Sequence, residues 1–269
     1  MRAFRIAYDG RRYHGFQRQP DVSTVEDAIL DALVAHDLLD RGDGRTRPTP
    51  PGYAAAGRTD AGVSATAQTV AFETPDWLTP AALNAELPAA VRAWASADAP
   101  ADFHATHDAT ERTYTYFLHA PDADRGRARR ALDALSGTHD FHNLTPDDTG
   151  TVRDLSGTVR RDGSFLVIVL RAGGFARQLV RRVVSVVAEV ARENADRGRI
   201  ERLLSEQSVD GPDGVAPAPA YPLVLTDVSY PSPTFMVDEE AAASKREVFE
   251  SSHVRRETLA RVADLLAGE

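Results

Sequence analysis

Cysteine is absent from the 269-residue sequence, which rules out disulfide staples and thiolate metal sites and leaves nothing that argues for secretion. Lysine is almost absent: Lys245 stands alone, and every other residue of the Lys and Arg total is arginine. No apolar run approaches the roughly 20 residues needed to cross a bilayer. Met1 to Ile6 lead into a strand-like segment and not into the apolar core of a signal peptide. These absences point to a soluble, cytoplasmic protein without a membrane partner. Basic charge is also scarce, with 31 Lys and Arg against 40 Asp and Glu and a formal net charge of −9. Carboxylates hold water and cations, so an acidic, lysine-poor surface suits a protein dissolved in concentrated salt. The same charge repels phosphate, so any binding of nucleic acid has to come from a local arginine-rich surface.

What is present is a regular alternation of apolar segments, in a chain long enough for one large domain or two small ones. In the first half, strands are predicted at residues 3–8, 68–73 and 91–96. Helices are predicted at 24–39 and 80–86, with an arginine- and proline-containing loop at 41–52. The first helix is the best marked: Val25, Ala28, Ile29, Ala32 and Leu33 recur at helical spacing behind Ser23 or Thr24 as N-cap. The second half predicts strands at 112–119, 152–160, 165–171 and 223–230, and helices at 127–135, 175–192 and 199–205. Arg161, Asp162 and Gly163 turn its central strand pair into a hairpin. Each half then approximates a β-α-β-β-α-β order, the split βαβ arrangement that also underlies RNA-binding sheets. Beyond Pro231 and Pro233, residues 239–266 are polar and read as an appended helix.

The densest chemical signal is Ala56-Gly57-Arg58-Thr59-Asp60-Ala61-Gly62-Val63-Ser64-Ala65. Two glycines bracket an arginine and an aspartate, which lets a tight loop carry both charges at its tip. A cation two residues away favours an ionised, nucleophilic Asp60; the plainer alternative is an aspartate that caps a turn. His104 with His107, and His139 with His142, have spacings that suit a metal. Neither pair is joined by a cysteine or a distinct carboxylate to complete three or four ligands. There is no P-loop and no dinucleotide fingerprint.

The loop resembles the catalytic loop of the TruA family of tRNA pseudouridine synthases, and the resemblance continues in order along the chain. Tyr8-Asp9-Gly10-Arg11-Arg12-Tyr13-His14-Gly15-Phe16-Gln17-Arg18-Gln19 with Thr24-Val25-Glu26-Asp27 is similar to the family's first motif. Asp102-Phe103-His104-Ala105 and Arg112-Thr113-Tyr114-Thr115-Tyr116 are similar to its middle motifs, and Gly174-Phe175 with Leu179-Val180-Arg181-Arg182 to its late helical motif. With its acidity, the sequence is identified as a halophilic, archaeal member.

The resemblance implies an α+β fold in which two similar ferredoxin-like halves, residues 1–103 and 104–231, form one continuous, mainly antiparallel sheet. Helices lie on one side, a cleft is central, and a helical extension follows at 232–269. It implies isomerisation of uridine to pseudouridine in the anticodon stem-loop, around tRNA positions 38 to 40, by a homodimer that flips the target base and needs no cofactor. Asp60 is the implied nucleophile and Arg58 the residue that helps eject the nucleotide from its stack. Tyr114 is the ring that stacks on the flipped uracil, and Arg181 the basic partner of the aspartate. Without the resemblance, Tyr114 reads as a core strand aromatic and Arg181 as a solvated helix charge. Ser64 stands where the family often has histidine, Thr106 where it often has arginine, and Phe16 where tryptophan is frequent; these departures bear on RNA contact and not on the nucleophile.

Two other classes of function compete. One is a clamp that binds RNA without catalysis, against which the joint presence of Arg58, Asp60, Tyr114 and Arg181 speaks. The other is a hydrolase of glycosidic bonds, which would want a second acid that the loop does not offer.

Overall fold

The computed structural model describes residues 1–42, 48–193, 195, 197–209 and 211–268. The strands are β1 (Arg2–Tyr8), β2 (Ala54–Ala55), β3 (Ser64–Phe72), β4 (Val91–Asp98), β5 (Glu111–His119), β6 (Gly137–Asp140), β7 (Val152–Asp162), β8 (Phe165–Ala172), β9 (Leu223–Ser229) and β10 (Met236–Val237). The helices are α1 (Val25–Ala35), α2 (Pro80–Glu86), α3 (Arg125–Leu135), α4 (Leu179–Ala191), α5 (Arg197–Leu203) and α6 (Glu239–Ala267). Of the expected loop at 41–52, residues 43–47 lie outside the described residues.

The strands form one open sheet in the order β10-β4-β1-β3-β9-β5-β8-β7-β6, with β2 beside β3. Pairing among the described residues is antiparallel except between β3 and β9, where Ser64 faces Val224 and Ala65 faces Leu225. Because β1 runs along one edge of β3, β2 and β9 divide the other edge between them. The expectation of a mixed α+β fold with a large, mainly antiparallel sheet is met.

Local chemistry sets the helix starts. Thr24 Oγ1 accepts from Asp27 N to cap α1, and Thr79 does the same for α2 with Pro80 at the first helical position. Asp124 Oδ1 accepts from Arg127 N at 2.6 Å, so α3 begins at Arg125, earlier than its apolar spacing alone suggests. The predicted helix at 175–192 is corrected. Gln178 has φ 60 and caps α4, which begins only at Leu179 and leaves residues 175–178 irregular after Gly173-Gly174. β3 begins at Ser64, well before the predicted residue 68, because Ala65 and Ala67 are weak strand signals that become strand through pairing. Two-residue strands such as β2 and β10 are too short to show a period.

Two large apolar cores lie along the sheet, beside a smaller one around Phe103. The first gathers Phe4, Ile6, Tyr8, Ile29, Leu33 and Leu83; the second gathers Leu132, Leu135, Ile168, Val183 and Val187. β9 serves both, with Leu223 in the second core and Leu225 and Val228 in the first, and Tyr114 of β5 packs against both. Each such buried apolar side chain is worth about 1.5–3 kcal/mol. The strand between the cores therefore holds the two sides of the cleft in a fixed relation. The C-terminal segment docks on the first core's edge strand: β10 pairs with β4, Ala241 and Ala242 are buried, and the ammonium of Lys245 lies 4.1 Å from the centre of the Trp94 ring. Among the described residues no helix is long and apolar enough to cross a membrane.

Candidate active site

The loop from Ala56 to Ser64 connects β2 to β3 and is fastened at nearly every residue. Arg112 donates from Nε and Nη2 to Ala56 O, and Gln68 Nε2 donates to Gly57 O at 2.7 Å. Phe16 N donates to Thr59 O, Thr59 Oγ1 lies 2.7 Å from the buried Tyr8 hydroxyl, Gly62 N donates to Tyr13 O, and Val63 N closes the turn on Asp60 O. Burial pushes the Tyr8 phenol well up, with the Thr59 hydrogen bond opposing, so Tyr8 stays a neutral partner. Of the two bracketing glycines, Gly62 takes φ 84 and requires the freedom of glycine, whereas Gly57 has an ordinary backbone.

This scaffold presents Asp60 to a residue 121 positions away: Arg181 Nη1 stands 3.0 Å from Asp60 Oδ2. Arg181 sits in the first turn of α4, and its Nε donates to Ala218 O at 2.6 Å, which aims the guanidinium. The carboxylate is about a third exposed and the guanidinium 16% exposed, so the pair is partly shielded from water while one partner remains reachable. Tyr114 meets Phe175 edge to face, ring centres 5.2 Å apart at 89°. Burial raises the Tyr114 phenol to about 12; Arg112 opposes this and the Asp60 carboxylate adds to it. Arg58 is exposed at the loop tip. All four sequence-predicted residues, Arg58, Asp60, Tyr114 and Arg181, line one cleft of about 1110 Å³, together with Arg153 and Arg177.

Three contributors escaped sequence reasoning. Phe175, expected inside a helix, is instead the ring that braces Tyr114. Gln68, expected at the start of a strand, holds the loop by Gly57. Arg112 is buried and reaches Ala56 O, Thr106 O and Gly173 O, three chain segments that meet at the cleft. Arg112 and Phe175 lay inside the quoted motifs, but nothing in their spacing said where they point. Of the histidine pairs, His139 Nε2 lies against Ser136 O and His142 pairs with Asp140, away from the cleft, while His104 and His107 line it. Among the described residues no three His, Asp or Glu gather as a metal site.

Comparison with known proteins adds independent findings. Residues 131–231, which include Arg181 but not Asp60 or Tyr114, match the family described as tRNA pseudouridine synthase. The sequence is 60% identical to tRNA pseudouridine synthase A of Haloarcula marismortui, covering 98% of each chain. It is 57% identical to the protein of the same name in Halobacterium salinarum, covering 99% of this chain and 98% of that one. With the protein of that name in Archaeoglobus fulgidus it shares 35% identity across 89% of this chain and 87% of the other. Among solved structures, an archaeal box H/ACA ribonucleoprotein complex matches 67% of this chain and 44% of its own at a TM-score of 0.35 and 12% identity.

Proposed function

The chain belongs to the tRNA pseudouridine synthase A family, isomerases of uridine in tRNA, and on that basis we propose that Asp60 is its nucleophile. The reaction breaks the bond between N1 of uracil and C1′ of ribose and makes one between C5 and C1′. C5 loses a proton and N1 regains one, so nothing is oxidised, nothing is added, and one well-placed carboxylate is enough. Asp60 serves by attacking the sugar, by adding to the base at C6, or by drawing a proton from the sugar.

The observation that carries the reading is the 3.0 Å contact between Asp60 and Arg181 in a cleft also lined by Tyr114. The pairing holds the carboxylate in place and compensates its charge while substrate excludes water. A uridine must leave its stack to reach it, at a cost of a few kcal/mol. Stacking on Tyr114, which is neutral at working pH, offsets that cost, and Arg58 at the exposed loop tip takes the space the base vacates. The cleft volume leaves room for a flipped nucleotide and its neighbours.

The target we propose, on the family resemblance, is the anticodon stem-loop around positions 38 to 40. Two ferredoxin-like halves, residues 1–103 and 104–231, are supported by the strand orders β4-β1-β3-β2 and β9-β5-β8-β7, the same permutation twice, with 232–269 as an extension. A homodimer is supported by Val254, Leu259, Val262, Leu265 and Leu266, apolar side chains left exposed on the distal part of the otherwise polar α6. Light scattering is expected to give twice the chain mass, falling to one chain mass when Leu259 and Leu266 are replaced by Glu.

The deciding experiment is turnover of an unmodified tRNA transcript, read by carbodiimide mapping of pseudouridine. Asp60→Ala is expected to abolish product and leave tRNA binding nearly intact, because a nucleophile acts on the transition state more than on the ground state. Appreciable product from that variant would refute the assignment.

A further inference from the structure

The turn from His104 to His107 forms a wall of the cleft to which the chemistry above gives no task. His104 Nδ1 accepts from the backbone N–H of Thr106 at 3.2 Å and of His107 at 3.4 Å, which locks the ring to its own turn. Asp108 closes the turn by accepting from His104 N at 2.8 Å. Two bonds tie it to the strand that enters the Asp60 loop and to the loop's clamp: Thr106 Oγ1 donates to Ala55 O at the end of β2, and Arg112 Nη2 donates to Thr106 O, both at 2.6 Å. His107 packs on the locked ring with centres 4.1 Å apart and is itself exposed. Among the described residues no third ligand joins the two imidazoles to make a metal site.

A flat ring braced from behind, exposed in front, and carried on the same scaffold as Asp60 is a stacking surface. Every nucleobase has a face to match it. A phosphate contact would ask instead for a fixed cation, which the cleft already has in Arg177, held by Asp147, and in Arg181, held by Asp60 and Ala218 O. We propose that His107, backed by His104, stacks on the base adjoining the flipped uridine and holds the strand open while Tyr114 holds the target. This rests on the reading that the target uridine enters the Asp60 cleft.

The test uses two tRNA transcripts in which 2-aminopurine replaces the nucleotide on one or the other side of the target. Stacking on an aromatic ring quenches this fluorophore. The wild-type protein is expected to quench one of the two transcripts, and His107→Ala to lose about half or more of that quench. In His107→Ala the KM for tRNA is expected to rise about tenfold, with kcat at saturating tRNA within about twofold, as loss of one base–aromatic stack implies. His107→Phe keeps a ring of similar shape and is expected to restore both readouts, which also controls for any loosening of the turn in the alanine protein. Unchanged quench and KM in His107→Ala would overturn the proposal. So would recovery by His107→Arg but not by His107→Phe. Product made by Asp60→Ala would instead sink the catalytic reading, whatever the fluorophore reports.

Discussion

Arg112 shows how much of this site rests on one side chain that never needs to touch substrate. Its guanidinium is buried, yet its hydrogen-bond partners are all neutral carbonyls, on the Asp60 loop, the histidine turn and the segment after β8. A planar fork with five donors can reach three acceptors on separate chain segments in a fixed geometry, whereas an ammonium offers its three donors from a single point on a flexible stem. Arg112→Met strands those carbonyls, each at about 1–3 kcal/mol where water cannot replace the donor. Urea unfolding is expected to show a loss of roughly 3 kcal/mol, and kcat to fall at a temperature where the variant is still folded. Arg112→Lys is expected to recover part of the stability and little of the kcat. An Arg112→Met protein with normal kcat would show that the clamp serves folding alone. Asp60, Arg58, Tyr114 and Arg181 were legible in the sequence because they sit in motifs that can be matched position by position. That Asp60 meets Arg181 was legible only through the resemblance, since 121 residues separate them. The use of Arg112 was not legible at all, because a carbonyl acceptor leaves no mark in the identity of the residue that bears it.

The connection between β1 and α1 and the start of α4 set the two sides of the cleft, and both run against simple periodicity. Gly15 takes φ 97, and a methyl group at its Cα would come within 2.9 Å of Thr59 O, the carbonyl that receives the Phe16 N–H. Gly15→Ala therefore meets two costs together, a left-handed backbone that disfavours a side chain and a push against the residue preceding Asp60. It is expected to lower stability by on the order of 1–2 kcal/mol and, if Asp60 is the nucleophile as proposed, to lower kcat more than it raises KM, because the push falls on the loop that carries Asp60 and not on the arginines across the cleft. A change confined to melting temperature would show that the loop absorbs the push. Helix α2, the start of α1 and the β7–β8 hairpin were readable because caps, turn residues and apolar spacing agree there, whereas α1 stops at Ala35, short of the expected residue 39, and the Asp124 cap starts α3 ahead of its apolar spacing. The early strand β3, rich in alanine, was missed in its first residues because pairing and not propensity makes it a strand. The late start of α4 was missed because Gly173 and Gly174 free residues 175–178 from a helix that their composition would permit, and that freedom is what lets Phe175 reach Tyr114.

A net charge of −9 and a polyanionic substrate are reconciled by how the arginines are used. Arg2, Arg5, Arg92, Arg112, Arg161 and Arg181 donate to backbone carbonyls, many of them to more than one, so the near-exclusive choice of guanidinium over ammonium has a structural use throughout the molecule. Such bonds act at contact range and lose little to screening, unlike attraction between charges farther apart than a Debye length. The relatives from Haloarcula and Halobacterium belong to halophilic archaea, where the bulk salt already suppresses counterion release as a source of affinity. On the proposed reading, affinity for tRNA then comes from shape, from stacking on rings such as Tyr114, and from bidentate arginine contacts in the cleft. Activity is accordingly expected to persist or rise toward molar potassium chloride. In a plot of log affinity against log salt, the slope is expected to stay below that of about five neutralised phosphates. The measurement is tRNA binding and pseudouridine formation across a potassium chloride series at fixed pH. A steeper slope, or activity lost above ordinary laboratory salt, would mean that the cleft arginines act through long-range charge, and the acidic surface would then need a different cause.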